Sequence, residues 1–263
     1  MNVYLMVDIE GISGIYTREQ VVQDGKRFAE GRRRMTEDIN ATVAGLKDAG
    51  IEKIYVRDCH GGSYSVLYDE LSPDVDYVIC GKEDNERYPG LDECDAVILL
   101  GYHAMAGTAA AVLEHSFSSA SVQNITTGGE RIGELYIDAA IAGEHGKPII
   151  MVSGDDKLCL EAKRLLPNVV TAEVKRGLTC FGAMLLPRER AHALLRERAR
   201  EAVERAGLQS PFTVPSPVSL TVEYVERTQL ASKCAHPGMI RDDGRTVTVT
   251  APTMEIALFR ALY

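Results

Sequence analysis

The sequence predicts an α/β fold: a mostly parallel sheet flanked by helices, with a smaller C-terminal α+β lobe. Short apolar, strand-like runs at Val3–Val7, Ile54–Val56 and Ala96–Leu100 are the first observation behind this reading. Helix-forming stretches between such runs are the second, because strands that alternate with helices pair in parallel. The third is the set of polar side chains at the end of each run: Asp8 and Glu10, then Asp58 and His60, then His103. Parallel pairing brings the carboxyl ends of the strands to one sheet edge, where open α/β folds bind ligands. Residues distant in sequence are therefore expected to meet in one cleft.

The first strand, Val3–Val7, runs into the loop Gly11–Gly14. Arg27–Ala49 is rich in helix formers and stops at Gly50, a suitable C-terminal cap. Lys53–Arg57 comes next as the second strand and closes a βαβ unit. Tyr77–Cys80 is a short strand leading into the turn-rich stretch Gly81–Gly90, and Asp95–Leu100 is a strongly apolar one. Glu134–Gly143 has a helical pattern, and Pro148–Val152 is a buried strand ending at Gly154-Asp155-Asp156. Leu158–Leu166 reads as a helix stopped by Pro167, and Val169–Val174 as a strand.

Beyond it the rhythm changes. Arg188–Ala206 is a charged amphipathic helix, and Leu208–Pro217, with three prolines, is a loop. Val218–Val225 and Arg245–Thr250 alternate in the manner of antiparallel strands, before a final helix near Met254–Leu262. The expected division is a metal-binding α/β catalytic domain over residues 1–170 and a smaller α+β lobe over 171–263. That lobe would complete the fold and contribute to oligomer contacts.

With 263 residues the chain can bury a sizeable core. Its 29 Lys plus Arg against 38 Asp plus Glu give a formal charge of −9, which repels a phosphate backbone and argues against nucleic acid as a partner. No basic region precedes an apolar stretch at Met1-Asn2-Val3-Tyr4, so export is not expected. The longest apolar region, Ala96–Leu113, is broken by Gly101, His103, Gly107 and Thr108 and does not read as a membrane span. Six scattered cysteines without a C-x-x-C pair fit reduced thiols in a cytoplasm. Cys59, between Asp58 and His60, would point away from both neighbours along an extended strand end and reads as a packing residue.

Carboxylates and imidazoles together suit a divalent transition metal, zinc above all, and a shared carboxylate can hold two ions about 3.5–4 Å apart for hydrolysis. Asp8 and Glu10, two positions apart, lie on one side of an extended chain; one can bridge two metals while the other holds one. The competing role is to cap the Gly11–Gly14 turn. His60 reads as a ligand, with Gly61-Gly62 letting the backbone pass close, while Asp58 reads as a ligand or as the acceptor that orients an imidazole. His103 occupies the equivalent position after the third run. Spacing leaves His115 open among a fourth ligand, a general base or acid, and a surface histidine. Glu134 opens a helix and can aim its carboxylate back at the sheet edge, although a first-turn carboxylate commonly serves the helix dipole. These residues point to a metal-dependent hydrolase.

In order along the chain, Val7-Asp8-Ile9-Glu10-Gly11-Ile12-Ser13-Gly14, Asp58-Cys59-His60-Gly61, Gly101-Tyr102-His103-Ala104, His115-Ser116 and Gly133-Glu134-Leu135 resemble the bacterial zinc-dependent D-aminopeptidase family. The resemblance continues through Val152–Asp156 and Leu166–Val169 and weakens after about residue 185. It implies that Asp8, Glu10, His60, His103 and Glu134 bind a pair of zinc ions, that Asp8 bridges them, and that His115 is the catalytic residue. It further implies removal of N-terminal D-amino acids such as D-Ala from short peptides, within a homo-oligomer, a ring-shaped decamer. Two departures are visible: the interval from His103 to His115 is one residue longer than is typical, and Cys59 stands where the family often has serine. The other classes compatible with these residues are a metal-dependent amidase or esterase acting on another small substrate, and a non-catalytic metal or peptide-binding protein.

Overall fold

The computed structural model describes residues 1–79, 86–230 and 236–262. Five of the six strands in the parallel part of a seven-stranded sheet are β1 (Val3–Val7), β2 (Ile54–Asp58), β3 (Asp76–Tyr77), β4 (Ala96–Leu100) and, after two further strands, β7 (Ile149–Asp155). The two intervening strands, β5 (Val122–Thr127) and β6 (Glu130–Ile132), belong to a second sheet. The first sheet is completed by β8 (Val170–Thr179), parallel to β7, and by β9 (Gly182–Leu185), which returns antiparallel at the edge. The second sheet orders its five strands as β11 (Met239–Arg241), β12 (Thr246–Ala251), β10 (Val218–Tyr224), β5 and β6. Its paired strands are all antiparallel.

The order of the first sheet is β3-β2-β1-β4-β7-β8-β9. From β1 the chain builds outward through β2 and β3, then crosses back to β4 and builds the other way. The reversal falls between β1 and β4, and a crevice opens at their carboxyl ends, because the loops leaving the two strands diverge. Register keeps those ends level: Val7 pairs with Asp58 on one side and Leu100 on the other. The segments leaving Val7, Asp58 and Leu100 thus emerge at one edge.

Burial shows why these strands are central. Every residue of β1 and β4 is buried. Successive side chains take opposite faces, so Val3, Leu5 and Val7 join one core cluster and Tyr4 and Met6 the other. The first cluster packs under α1 (Phe28–Asp48), through Met35, Ile39, Val43 and Leu46, and under α4 (Arg188–Glu204), through Ala191 and Leu195. The 3.6-residue period puts those α1 side chains on one face. The second cluster holds α2 (Glu134–Glu144), α3 (Asp156–Leu165), the inward faces of β10 and β12, and α5 (Met254–Leu262).

The predicted elements are present with boundaries shifted by a few residues, and the α/β class with a mostly parallel sheet holds. Four short strands lack a sequence signal. In β5, Val122 and Ile125 are the buried pair, three positions apart, so the period of two is broken. Across from them the ladder with β10 shifts register at Glu223/Tyr224. The β6, β9 and β11 strands are three or four residues long and largely outside the core. Sheet membership crosses residue 170 in both directions, since β5 and β6 join the later strands and β8 and β9 the earlier ones. Cys80 and residues 81–85 of the Gly81–Gly90 stretch lie outside the described residues.

Candidate metal centre

The chain leaving β1 stays bound to the chain leaving β4: Asp8 N–H donates to Leu100 O at 2.9 Å and Gly11 N–H to Gly101 O at 2.7 Å. Glycine makes the approach possible. A Cβ on Gly11 would stand 1.8 Å from Tyr102 O, and Gly101, at φ +70°, would put one 2.3 Å from Asp8 O. Sterics leave no room for either atom, so Asp8, Glu10 and His103 are drawn together by backbone before any side chain is considered.

Around that junction the predicted residues converge. His60 Nδ1 lies 3.2 Å from Asp8 Oδ1 and 3.2 Å from Glu10 Oε2. His103 Nε2 lies 3.3 Å from Asp8 Oδ2 and 3.2 Å from Glu134 Oε1. Asp8 thus turns one oxygen to each imidazole. His115 Nε2 is 3.9 Å from Glu134 Oε1, and its ring stacks on that of His103 with centroids 4.0 Å apart. Asp8, Glu10, His103 and Glu134 are buried, and His60 and His115 are partly so.

Each imidazole spends one nitrogen on a backbone carbonyl. His60 Nε2–H donates to Val21 O at 2.8 Å, His103 Nδ1–H to Ala104 O at 3.0 Å, and His115 Nδ1–H to Leu113 O at 2.9 Å. Such bonds fix ring orientation and turn the opposite nitrogen toward the carboxylates, as metal-binding histidines require.

Three observations fit zinc. Donors about 2.0–2.2 Å from a tetrahedral ion stand about 3.3–3.5 Å from each other. The four imidazole–carboxylate separations, 3.2–3.3 Å, are near that spacing and longer than the about 2.7–2.9 Å of a charge-assisted hydrogen bond. Glu10 Oε2 and His103 Nε2 are buried with no hydrogen-bond partner, a costly state that a cation relieves. The nitrogen and oxygen donor set suits zinc. Donor atoms of Asp8, Glu10 and His103 form one compact group, and those of His103, His115 and Glu134 a second, all within 4.8 Å of one another in each.

Electrostatics agree. Burial opposes charge on Asp8, yet the His103 and His60 imidazoles hold its carboxyl well below the usual range. Burial likewise opposes charge on the two histidines. Glu10 and Asp8 outweigh it for His60, and Glu134 and Asp8 for His103, raising both well above the ordinary value. Three carboxylates in a buried crevice demand positive charge, which a metal ion would supply in place of imidazole protons.

One of these residues, Asp58, acts differently from its sequence reading, and the others show what the sequence left open or expected. Asp58 touches no ring: its Oδ1 accepts His60 N–H at 2.9 Å and its Oδ2 accepts Ser65 N–H at 2.7 Å, shaping the turn that delivers His60. Full burial pushes its carboxyl up to about 6. The acceptor orienting the His60 ring is Val21 O instead, from a loop with no motif to mark it. Cys59 points away toward Tyr102 Oη, 3.7 Å off, and packs against the core. Glu134 serves the site as well as its helix, since its Oε1 also accepts Phe117 N–H at 2.6 Å.

Lys175 is another residue that sequence reasoning missed. Its buried ammonium donates to the carbonyls of Glu10, Ile12 and Ile15 at 2.5, 2.9 and 2.8 Å and so ties down the loop after β1. A register shift turns it inward: Gly154 pairs with Glu173, but Asp155 pairs with Lys175. A bulge of this kind breaks strand alternation and is invisible to pattern. Replacing Lys175 by Met, of similar volume, orphans three carbonyls; the expected loss is about 3 kcal/mol or more, or roughly 6–12 °C in Tm for a chain of this size. Thermal unfolding of the two proteins side by side checks this, and an unchanged Tm contradicts it.

Beside the cluster lies a cavity of about 780 Å³, reached by Arg18, Arg87, His115, Phe117 and Phe181. That is room for a small ligand of a few residues.

A family model described as D-aminopeptidase matches residues 1–262. A D-aminopeptidase of Bacillus subtilis (strain 168) is 32% identical over 248 residues, which cover 94% of this chain and 89% of the relative. Among solved structures, one described as "Zn-dependent D-aminopeptidase DppA from Bacillus subtilis, a self-compartmentalizing protease" superposes with a TM-score of 0.92 at 29% identity. That match covers 100% of this chain and 97% of the other.

Proposed function

This chain belongs to the D-aminopeptidase family and is a metallo-aminopeptidase; we propose that it removes N-terminal D-amino acids, small ones such as D-Ala, from short peptides or amides, using a pair of zinc ions. The observation that carries this reading is Asp8 facing His60 with one oxygen and His103 with the other, at 3.2 and 3.3 Å. Glu10 and His60 would complete one metal position, and His103 and Glu134 the other, with Asp8 between them.

Zinc bound there supplies Lewis-acid polarisation of the scissile carbonyl and lowers the pKa of water. The chain's own groups do the rest. His115 turns its Nε2 to the crevice because its Nδ1–H is held by Leu113 O. At that atom it acts as nucleophile or proton carrier, a task suited to imidazole near neutral pH. Phe117 N–H and the His103 ring fix Glu134 from two sides. Preference for D-residues would come from the shape of the cavity around the scissile carbonyl.

Hydrolysis of matched D-Ala and L-Ala dipeptides and amides, with a chelated control and metal analysis, tests the reading. Chelator-sensitive cleavage restricted to D-substrates is expected. Cleavage without enantiomer preference would identify a different metal hydrolase, and binding without turnover a non-catalytic protein.

The proposed setting is a cytoplasmic homo-oligomer, as a decamer, with contacts drawn partly from residues 171–263. Among the described residues no helix is long and apolar enough to cross a membrane, and Cys59, Cys94, Cys159 and Cys180 are free. The β8–β9 hairpin, at a sheet edge, exposes Leu178, Phe181, Met184 and Leu185, apolar surface of the kind that subunit contacts cover. Sedimentation at micromolar concentration is expected to find an oligomer; a monomer alone would refute this part.

A further inference from the structure

The cavity holds a guanidinium that the proposed metal chemistry does not use. Arg87 is 8% exposed and lines the cavity. Its Nε and Nη2 donate to Asp138 Oδ1 and Oδ2 at 2.7 and 2.8 Å, a two-pronged pair. Asp138 is itself fully buried and held by Tyr102 Oη–H at 2.7 Å. Nη1 has no hydrogen-bond partner among the described residues. A guanidinium presents two forked edges to carboxylates; here Asp138 occupies the Nε/Nη2 edge, and the Nη1/Nη2 edge is left.

That edge is placed relative to the metal centre by three connections. Asp138 lies four residues after Glu134 on α2, hence on the same helix face and about 6 Å further along its axis. Tyr102, which holds Asp138, adjoins His103. Phe117 donates its N–H to Glu134 Oε1 while its ring lies 5.6 Å from the Arg87 guanidinium carbon. Its own backbone is left-handed, at φ 60°, a strained conformation for a bulky residue that functional loops retain. An extended chain advances about 3.3–3.6 Å per residue. A peptide with its first carbonyl beside Glu134 therefore reaches Arg87 within about two residues.

We propose that Arg87 receives the C-terminal carboxylate of the substrate through its Nη1/Nη2 edge, making this enzyme selective for dipeptides with a free carboxylate. Asp138 fixes the fork and balances its charge when no substrate is bound. This deepens the D-aminopeptidase reading and rests on it. Among the described residues, the other cation on the cavity wall is Arg18, which is exposed and has no such mooring.

The test compares D-Ala-Gly with D-Ala-Gly carboxamide, which share the scissile bond and differ by the charge. With the zinc-loaded wild-type protein, kcat/KM for the acid is expected to exceed that for the amide at least about tenfold, the scale of a charge-assisted hydrogen bond. In Arg87→Met that ratio falls to about one; in Arg87→Lys, which keeps charge but loses the fork, it lies between. Arg18→Met retains the wild-type ratio. Equal cleavage of acid and amide by the wild-type protein overturns the inference while leaving the D-aminopeptidase reading intact, and needs no variant that folds. Collapse of the ratio in Arg18→Met instead of Arg87→Met also overturns it. Cleavage of neither substrate removes the reading beneath it and the inference with it.

Discussion

Replacing His115 by Ala is expected to leave zinc content at about two ions per chain while turnover falls by roughly 10²- to 10⁴-fold, the range for loss of a general acid or base. The expectation comes from how the residue is held. Leu113 and Phe117, on either side of it, both adopt left-handed backbone, at φ 53° and 60°. The Nδ1–H is bound to Leu113 O and the ring rests on His103, so Nε2 is aimed without being saturated. Its nearest carboxylate oxygen is 3.9 Å away, against 3.2–3.3 Å for the His60 and His103 nitrogens. The longer distance leaves His115 outside the close set. Yet its donor atom also groups with those of His103 and Glu134, and a ligand role makes an opposite forecast: His115→Ala would lose zinc and turnover together. Metal analysis and kcat on one preparation separate the two roles. Full zinc with full activity would remove His115 from the chemistry altogether.

The part of the site legible in the sequence is the part that strand ends encode. A parallel sheet brings the positions after its strands to one edge regardless of loop length, so Asp8, Glu10, His60 and His103 could be grouped from apolar runs alone. Their meeting point, the reversal of strand order between β1 and β4, could not. It depends on which strands are neighbours, and the helices between them do not record that. Glu134 was ambiguous because a first-turn carboxylate satisfies its helix whether or not it faces a site; here it faces His103 and Phe117 N–H. Residues that hold or flank the site from other elements leave no trace in pattern. Lys175 points inward because of a bulge, Val21 contributes a carbonyl that any residue could supply, and Arg87 is fixed by Asp138 across 51 positions. Asp58 shows the converse: the right spacing for a ligand, used instead to accept two backbone N–H groups.

Asp8→Ala is the second large effect, and it should fall on metal rather than on chemistry. Without that carboxylate, His60 keeps Glu10 as its close oxygen partner and His103 keeps Glu134, but nothing joins the two pairs. Each position then offers one imidazole and one carboxylate, short of the three protein ligands that catalytic zinc sites normally use. The protein as purified is expected to lose at least about one of two zinc ions and all chelator-sensitive hydrolysis. A binding test independent of turnover uses linkage: an ion that binds only the folded chain raises Tm with its concentration. Added zinc should therefore raise Tm for the wild-type protein and much less for Asp8→Ala. Asp8→Asn keeps the side-chain shape with one carbonyl oxygen and no charge, so it should fall between the two. If Asp8→Ala instead bound a full zinc complement with the wild-type response, the two imidazole–carboxylate pairs would be separate sites and Asp8 no bridge.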